Sequence, residues 1–203
     1  MHIREPILKT IAIAAMRPTQ MTVGLREVAA KRAHWRTLKH PAAFLGSHLI
    51  PVVKGYKNRH YLIDHHHLAR ALYEEGVNEV AITVVADLSE LDERHFYTVL
   101  DHKGWLHPYD GDGKRRHYDE LPKSVAALRD DPYRSLAGEL RHAGGFAKDT
   151  TPFSEFLWAD FLRAHIKRSN IDKQFNSSLT SALKLARSPK ANYLPGWCGP
   201  SSR

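Results

Sequence analysis

The chain has 203 residues, 42% hydrophobic and 26% charged, with a formal net charge of +8 and 14 His besides. That size and balance fit a soluble globular protein of one sizeable domain, or of a small domain with an extension, and the basic surplus favours polyanionic partners. Cys198 is the single cysteine, so an intrachain disulfide and a thiolate metal cluster are excluded and a reducing compartment is expected.

In chain order, Ile7 to Ala14 reads as a first strand; Lys9 interrupts its apolar run, which is far too short to span a bilayer. Ala12, Ala14 and Ala15 could also mimic a leader-cleavage region, but the strand is the preferred reading. Arg17-Pro18-Thr19-Gln20 breaks it, and Val23 to Trp35 reads as a helix. Val23, Val28, Ala29 and Ala30 give that helix an apolar stripe, and Arg26, Lys31, Arg32 and Arg36 a basic side. His48 to Val53 is expected to be a strand, Gly55-Tyr56-Lys57-Asn58 a hairpin turn, and Arg59 to Ile63 the returning strand. A helix follows Asp64 and stops near Gly76, and the β-branched run Val77 to Val85 forms another strand.

From Ser89 the pattern turns helical. Ser89-Glu90-Leu91-Asp92 opens a helix, Trp105 to Lys114 is a loop, and Leu121–Leu128 and Tyr133–Ala143 read as short helices. Asp130-Asp131-Pro132 starts the second of these and Gly144-Gly145 stops it. Phe153 to Lys167 is an aromatic-rich helix around Trp158, read as core; Asp172 to Ala186 is the last helix, and a loose tail is expected from Ser188. The expected fold is α+β: a small mixed sheet with helices, then an α-helical C-terminal half. The domains are drawn at 1–88 (core), 89–187 (helical extension) and 188–203 (flexible tail).

Chemistry concentrates at Tyr61-Leu62-Ile63-Asp64-His65-His66-His67-Leu68. A strand that halts at an acid and passes through three imidazoles into a helix presents a polar helix N-terminus, which suits a phosphate. Adjacent helical residues point about 100° apart, so three consecutive His cannot all hold one ion. Two can face a ligand, donating to phosphate oxygens or moving a proton, while one packs. The plainer alternative is that His65 caps, His66 packs on Tyr61 and nothing reacts. Asp64 could hold Mg²⁺, act as a base, or simply cap the helix. In Tyr109-Asp110-Gly111-Asp112-Gly113-Lys114, Asp-x-Asp-Gly resembles the start of a calcium loop, but the later ligands are missing and a hairpin turn is the better reading. Arg134 and Arg141 share a helix face, able to reach a phosphate or to pair with Asp130, Asp131 and Glu139 at the surface.

These pieces resemble the ParB/sulfiredoxin superfamily. The matching segments are Arg17-Pro18-Thr19-Gln20, Ile50-Pro51-Val52-Val53 and Ile63-Asp64-His65-His66-His67, within residues 7–86. Free-serine kinases of the superfamily carry Asp-Gly-His-His-Arg at this turn, ParB proteins a Gly-Glu-Arg-Arg type and sulfiredoxins a Gly-Cys-His-Arg type. Gly104-Trp105, Tyr109-Asp110, Asp130 to Gly138 and Glu155-Phe156-Leu157-Trp158-Ala159 resemble the bacterial ParB-like nuclease branch, extending the likeness to about residue 168.

The resemblance implies a turn that holds nucleotide phosphates through His65, His66 and His67. Asp64, His66, His67 and Gln20 are its candidate catalytic groups, with Asp64 toward a Mg–nucleotide. His65 replaces the motif glycine and Leu68 the motif arginine, a role that Arg70, Lys31 or Arg32 would have to take over. Gln20 stands where the kinases have an acid, and no cysteine occupies the turn. The implied function is Mg²⁺-dependent hydrolysis or transfer of a phosphoryl group from ATP, ADP or CTP. The alternatives are a nuclease acting on DNA and a non-catalytic nucleotide- or DNA-binding regulator. A bacterial cytoplasmic location and no membrane partner are expected, and a homodimer is left open.

Overall fold

The computed structural model describes residues 9–200, and among these the chain runs through a mixed sheet and two sets of helices. The strands and helices, in order, are β1 (Lys9–Ala12), β2 (Arg17–Pro18), β3 (Thr22–Val23), α1 (Leu25–Thr37), α2 (Pro41–Ser47), β4 (Ile50–Gly55), β5 (Arg59–Leu62), α3 (His66–Glu74), β6 (Glu79–Asp87), α4 (Glu93–His102), β7 (Arg129–Asp130), α5 (Pro132–His142), α6 (Ser154–His165), α7 (Arg168–Lys173) and α8 (Phe175–Ala186). The fold is α+β, as the alternation of patterns implies. No helix among the described residues is long and apolar enough to cross a membrane.

Contacts divide the chain into two units. The first takes the chain up to Met21 together with Val28–Pro108 and His117–Leu128; the second takes Thr22–Glu27, Tyr109–Arg116 and the chain from Arg129 onward. This division differs from the contiguous domains expected from the sequence, because segments 109–116 and 117–128 belong to different units.

The first unit holds a five-stranded sheet ordered β1-β6-β4-β5-β2. β4 pairs antiparallel with β5 and parallel with β6, and β2 pairs parallel with β5, with Arg17 opposite Tyr61 and Pro18 opposite Leu62. The β4–β5 hairpin turns through three residues, Tyr56 to Asn58, between the paired Gly55 and Arg59, with Lys57 and Asn58 at positive φ (58° and 56°). Gly55 beside it is favoured for a packing reason: a Cβ there would lie 2.1 Å from the Phe96 ring. Phe96 and Leu100 of α4 pack with Val53, Tyr61, Leu106 and Leu121 in one apolar cluster, so the sheet is completed by residues beyond 88. Asp92 caps α4 by accepting the His95 N–H at 2.9 Å.

The second unit is helical around a two-stranded parallel β3–β7 ladder. α5, α6 and α8 enclose Leu136, Leu140, Trp158, Phe161, Leu162 and Ala182. Residues 188–197 of the tail are packed rather than loose. Ala191 and Leu194 are buried in this core, the Trp158 indole donates to the Pro195 carbonyl and the Trp197 indole to the Ala186 carbonyl, each at 2.8 Å. Two further expectations are corrected: 121–128 holds only a short 3-10 turn, and the last helix is broken at Gln174 into α7 and α8.

Candidate active site at the α3 N-terminus

β5 ends at Leu62 and α3 begins at His66, and the connection is made by His65 in the left-handed conformation, φ 62°, ψ 26°. A side chain with a Cβ adopts that backbone at a cost on the order of 1–3 kcal/mol, which is why glycine is favoured at such a position. Asp64 steadies the turn by accepting the His65 N–H at 2.6 Å. The first bond inside the helix runs from Ala69 N–H to the His65 carbonyl at 2.9 Å, so the N–H groups of His66, His67 and Leu68 precede it. Asp64 and His65 are exposed.

The other two imidazoles are buried, His66 at 3% exposure and His67 at 8%. His66 Nε2 accepts the Thr19 backbone N–H at 3.2 Å, and Thr19 Oγ1 donates to the Leu62 carbonyl at 2.7 Å, so this ring fastens the exit of β2 to the start of α3. Burial pushes the His66 pKa well below the ordinary imidazole value; His67, His107 and His65 add to the effect, and a hydrogen bond to the Leu62 backbone works against it. The ring expected to face a phosphate is thus buried and bonded to Thr19.

Gln20, the other candidate from β2's exit, is buried and pairs by backbone with His107. The structure therefore gathers Thr19, Gln20, His66 and His107 beneath the turn and leaves Asp64 and His65 on its surface. The basic residues expected to replace the motif arginine are otherwise engaged. Arg70 pairs with Glu74 at 2.6 Å and donates to the carbonyls of Val125, Ala126 and Leu128 at 3.2, 2.6 and 3.0 Å. Arg32 pairs with Glu74 at 2.7 Å and Glu75 at 2.6 Å. Both guanidiniums are thus held by contacts of α3 with its neighbours. Lys31 is half-buried on α1.

Among the described residues no group of three or more His, Cys, Asp or Glu is arranged to hold a metal ion. Asp64 offers a single exposed carboxylate at the turn. The loop 109–114 is a hairpin, with Tyr109 paired to Arg115. Burial disfavours charge on Asp110, but N–H groups of Lys114 (2.9 Å) and Asp112 (3.0 Å) and the Arg116 guanidinium (2.7 Å) outweigh it and lower its pKa.

The second unit carries a charge cluster centred on the buried Arg134, with partners that the sequence did not disclose. Arg134 pairs with Glu155 and, at 3.3 Å, with Glu27, while Arg141 reaches Glu155 at 2.6 Å. The expected partners Asp130, Asp131 and Glu139 are replaced by acids from other helices. Gly138 keeps room for this arrangement, since a Cβ there would meet Arg134 Nη1 at 3.2 Å.

A family model described as "Putative ParB-like nuclease" matches residues 9–164. The chain belongs to the ParB-like nuclease family. The match spans the sheet, the α3 turn and helices as far as α6, so both the turn and the Arg134–Glu155 pair lie inside the family region. Among solved structures the chain is similar to protein Atu1540 from Agrobacterium tumefaciens, at 50% identity, 97% coverage of this chain, 100% coverage of that chain and a TM-score of 0.90. No curated protein matches it. Within the family reading, His65 at positive φ gains a conformational explanation: it stands at the position where the resembling turns of the free-serine kinases carry glycine.

Proposed function

We propose that this protein is a nuclease that cleaves a phosphodiester in DNA at the N-terminus of α3. The observation that carries the reading is the exposed, left-handed Asp64–His65 turn ahead of a helix whose first amides precede any internal hydrogen bond. Such an end stabilises an anionic oxygen through N–H dipoles fixed before the ligand arrives. His65 carries the one open imidazole of the triplet, placed to exchange a proton with an attacking water or a leaving oxygen, and Asp64 holds the turn in shape. His66 acts from beneath through its bond to Thr19, and Gln20 follows that strand exit paired with His107. The basic balance of the chain supports a polyanionic substrate. Mg²⁺, brought in by the substrate's phosphates, would neutralise charge on them.

The test is incubation with supercoiled plasmid, with Mg²⁺ and with EDTA, for the wild type, Asp64→Asn and His65→Ala. Loss of an acid–base group lowers rate by roughly 10²–10⁴-fold, so His65→Ala is expected to convert plasmid at no more than about a hundredth of the wild-type rate. Undiminished cleavage by His65→Ala overturns the assignment. Thermal shift with ATP, ADP and CTP, plus phosphate release, addresses the competing phosphotransfer reading. Nucleotide turnover without DNA cleavage would put that reading in place of the nuclease.

A further inference from the structure

Along β5 and its hairpin, the first unit contains a cleft of about 410 Å³ that neither the family likeness nor the proposed reaction accounts for. Its size lies within the range of small-molecule sites, roughly 300–1,000 Å³. Arg17 from β2, Lys57 and Arg59 from the β4–β5 hairpin and Lys123 from the segment after residue 117 supply four cations to its lining. Glu93 and Asp119 supply two carboxylates, which leaves a surplus of two positive charges. That surplus matches a phosphate monoester, which carries about −1.5 to −2 near neutral pH, better than the single charge of an internal phosphodiester.

The lining is built rather than incidental. Arg17 donates to the Lys123 carbonyl, which fixes its planar guanidinium at one wall while leaving further N–H donors. Tyr97 and Tyr118 stack with centroids 4.4 Å apart and planes 14° apart, and Tyr61 meets Tyr97 edge-on at 6.2 Å. The Tyr61 hydroxyl donates to the Tyr56 carbonyl at 3.3 Å. Burial, first of all, raises the pKa of both Tyr61 and Tyr97, and their hydroxyls are bonded within this wall, so the aromatic side of the cleft is apolar and fixed.

We propose that this cleft binds a nucleoside monophosphate unit, with Arg17, Arg59 and Lys57 on the phosphate and Glu93 and Asp119 accepting hydrogen bonds from ribose hydroxyls or an exocyclic amine. The unit is either the 5′-phosphorylated end of a nucleic-acid strand or a free nucleotide. The strand-end version rests on the nuclease reading; the free-nucleotide version does not.

Fluorescence anisotropy in EDTA decides it, using a 3′-dye-labelled oligodeoxyadenylate with a 5′-phosphate, which carries the exocyclic amine, the same strand with a 5′-hydroxyl, and AMP or inorganic phosphate as competitors. The phosphorylated strand is expected to bind about tenfold more tightly than the hydroxyl strand, and Arg59→Ala or Lys57→Ala, both exposed and outside the α3 turn, to remove that preference. Poor competition by AMP assigns the strand end; competition at matching concentration assigns the free nucleotide. Both support the cleft, whereas equal binding of the two strands, or an unchanged preference in Arg59→Ala, overturns it. If plasmid is never cleaved yet the Arg59-dependent preference persists, the nuclease reading fails and the cleft stands. If cleavage occurs with no such preference, the cleft fails alone.

Discussion

His66 is held neutral by burial, and this ties stability to pH. An unfolded imidazole titrates near its ordinary value of about 6.5. The folded ring titrates well below that, so under acid conditions the unfolded chain binds a proton that the native chain refuses. The contribution is therefore intact above about pH 6.5 and is lost as pH falls, at up to about 1.4 kcal/mol per pH unit for one such group. The Tm of the wild type should drop between pH 7 and pH 5. His66→Gln, whose amide oxygen can still accept the Thr19 N–H, should show a flatter dependence; an unchanged slope would show that the ring is not responsible. His65 poses the opposite case. Its left-handed backbone suits glycine, so His65→Gly is expected to keep or raise Tm while removing the proposed acid–base group. A clear fall in Tm for that variant would mean that the imidazole holds the turn together.

At the scale of elements, the β4–β5 hairpin depends on a glycine with nothing to spare. Gly55→Ala would drive a methyl into the Phe96 ring, and overpacking of that kind costs about 1–3 kcal/mol. A Tm equal to the wild type would contradict the packing described. This hairpin was readable in the sequence, as were β6, α4 and α5, because β-branched runs, an Asp N-cap and a Pro at the first helical turn are local signals. Two-residue strands such as β2, β3 and β7 carry no periodicity, so the stretch Arg17–Gln20 reads as a break although its first half pairs with β5. The join of α7 and α8 at Gln174 has no Gly or Pro to announce it, and α2 rests on ring packing, with Phe44 stacked on His48 at 3.9 Å. At the α3 turn the burial of each imidazole was not legible in the sequence. Sequence order gives three adjacent imidazoles, yet which one is open depends on Thr19 arriving from a separate strand.

For the molecule as a whole, chain order and unit membership part company. The sheet's core uses Phe96, Leu100, Leu106 and Leu121, so a fragment ending at residue 88 is expected to lack a cooperative unfolding transition; a sharp transition in that fragment would refute the division. Pro195, Gly196 and Gly199 make the tail read as loose, whereas its tryptophan and buried leucine close the second unit's core. Removal of the chain from Ser188 onward is therefore expected to lower Tm by several degrees, and an unaffected Tm would restore the loose-tail reading. The central claim is that phosphate lands on the first amides of α3. The direct measurement is a titration of short duplex DNA into isotope-labelled protein, followed through backbone amide shifts. The account predicts the largest shifts at His65 to Leu68, reduced in Asp64→Asn. Shifts confined to other segments, with this turn silent, would contradict it.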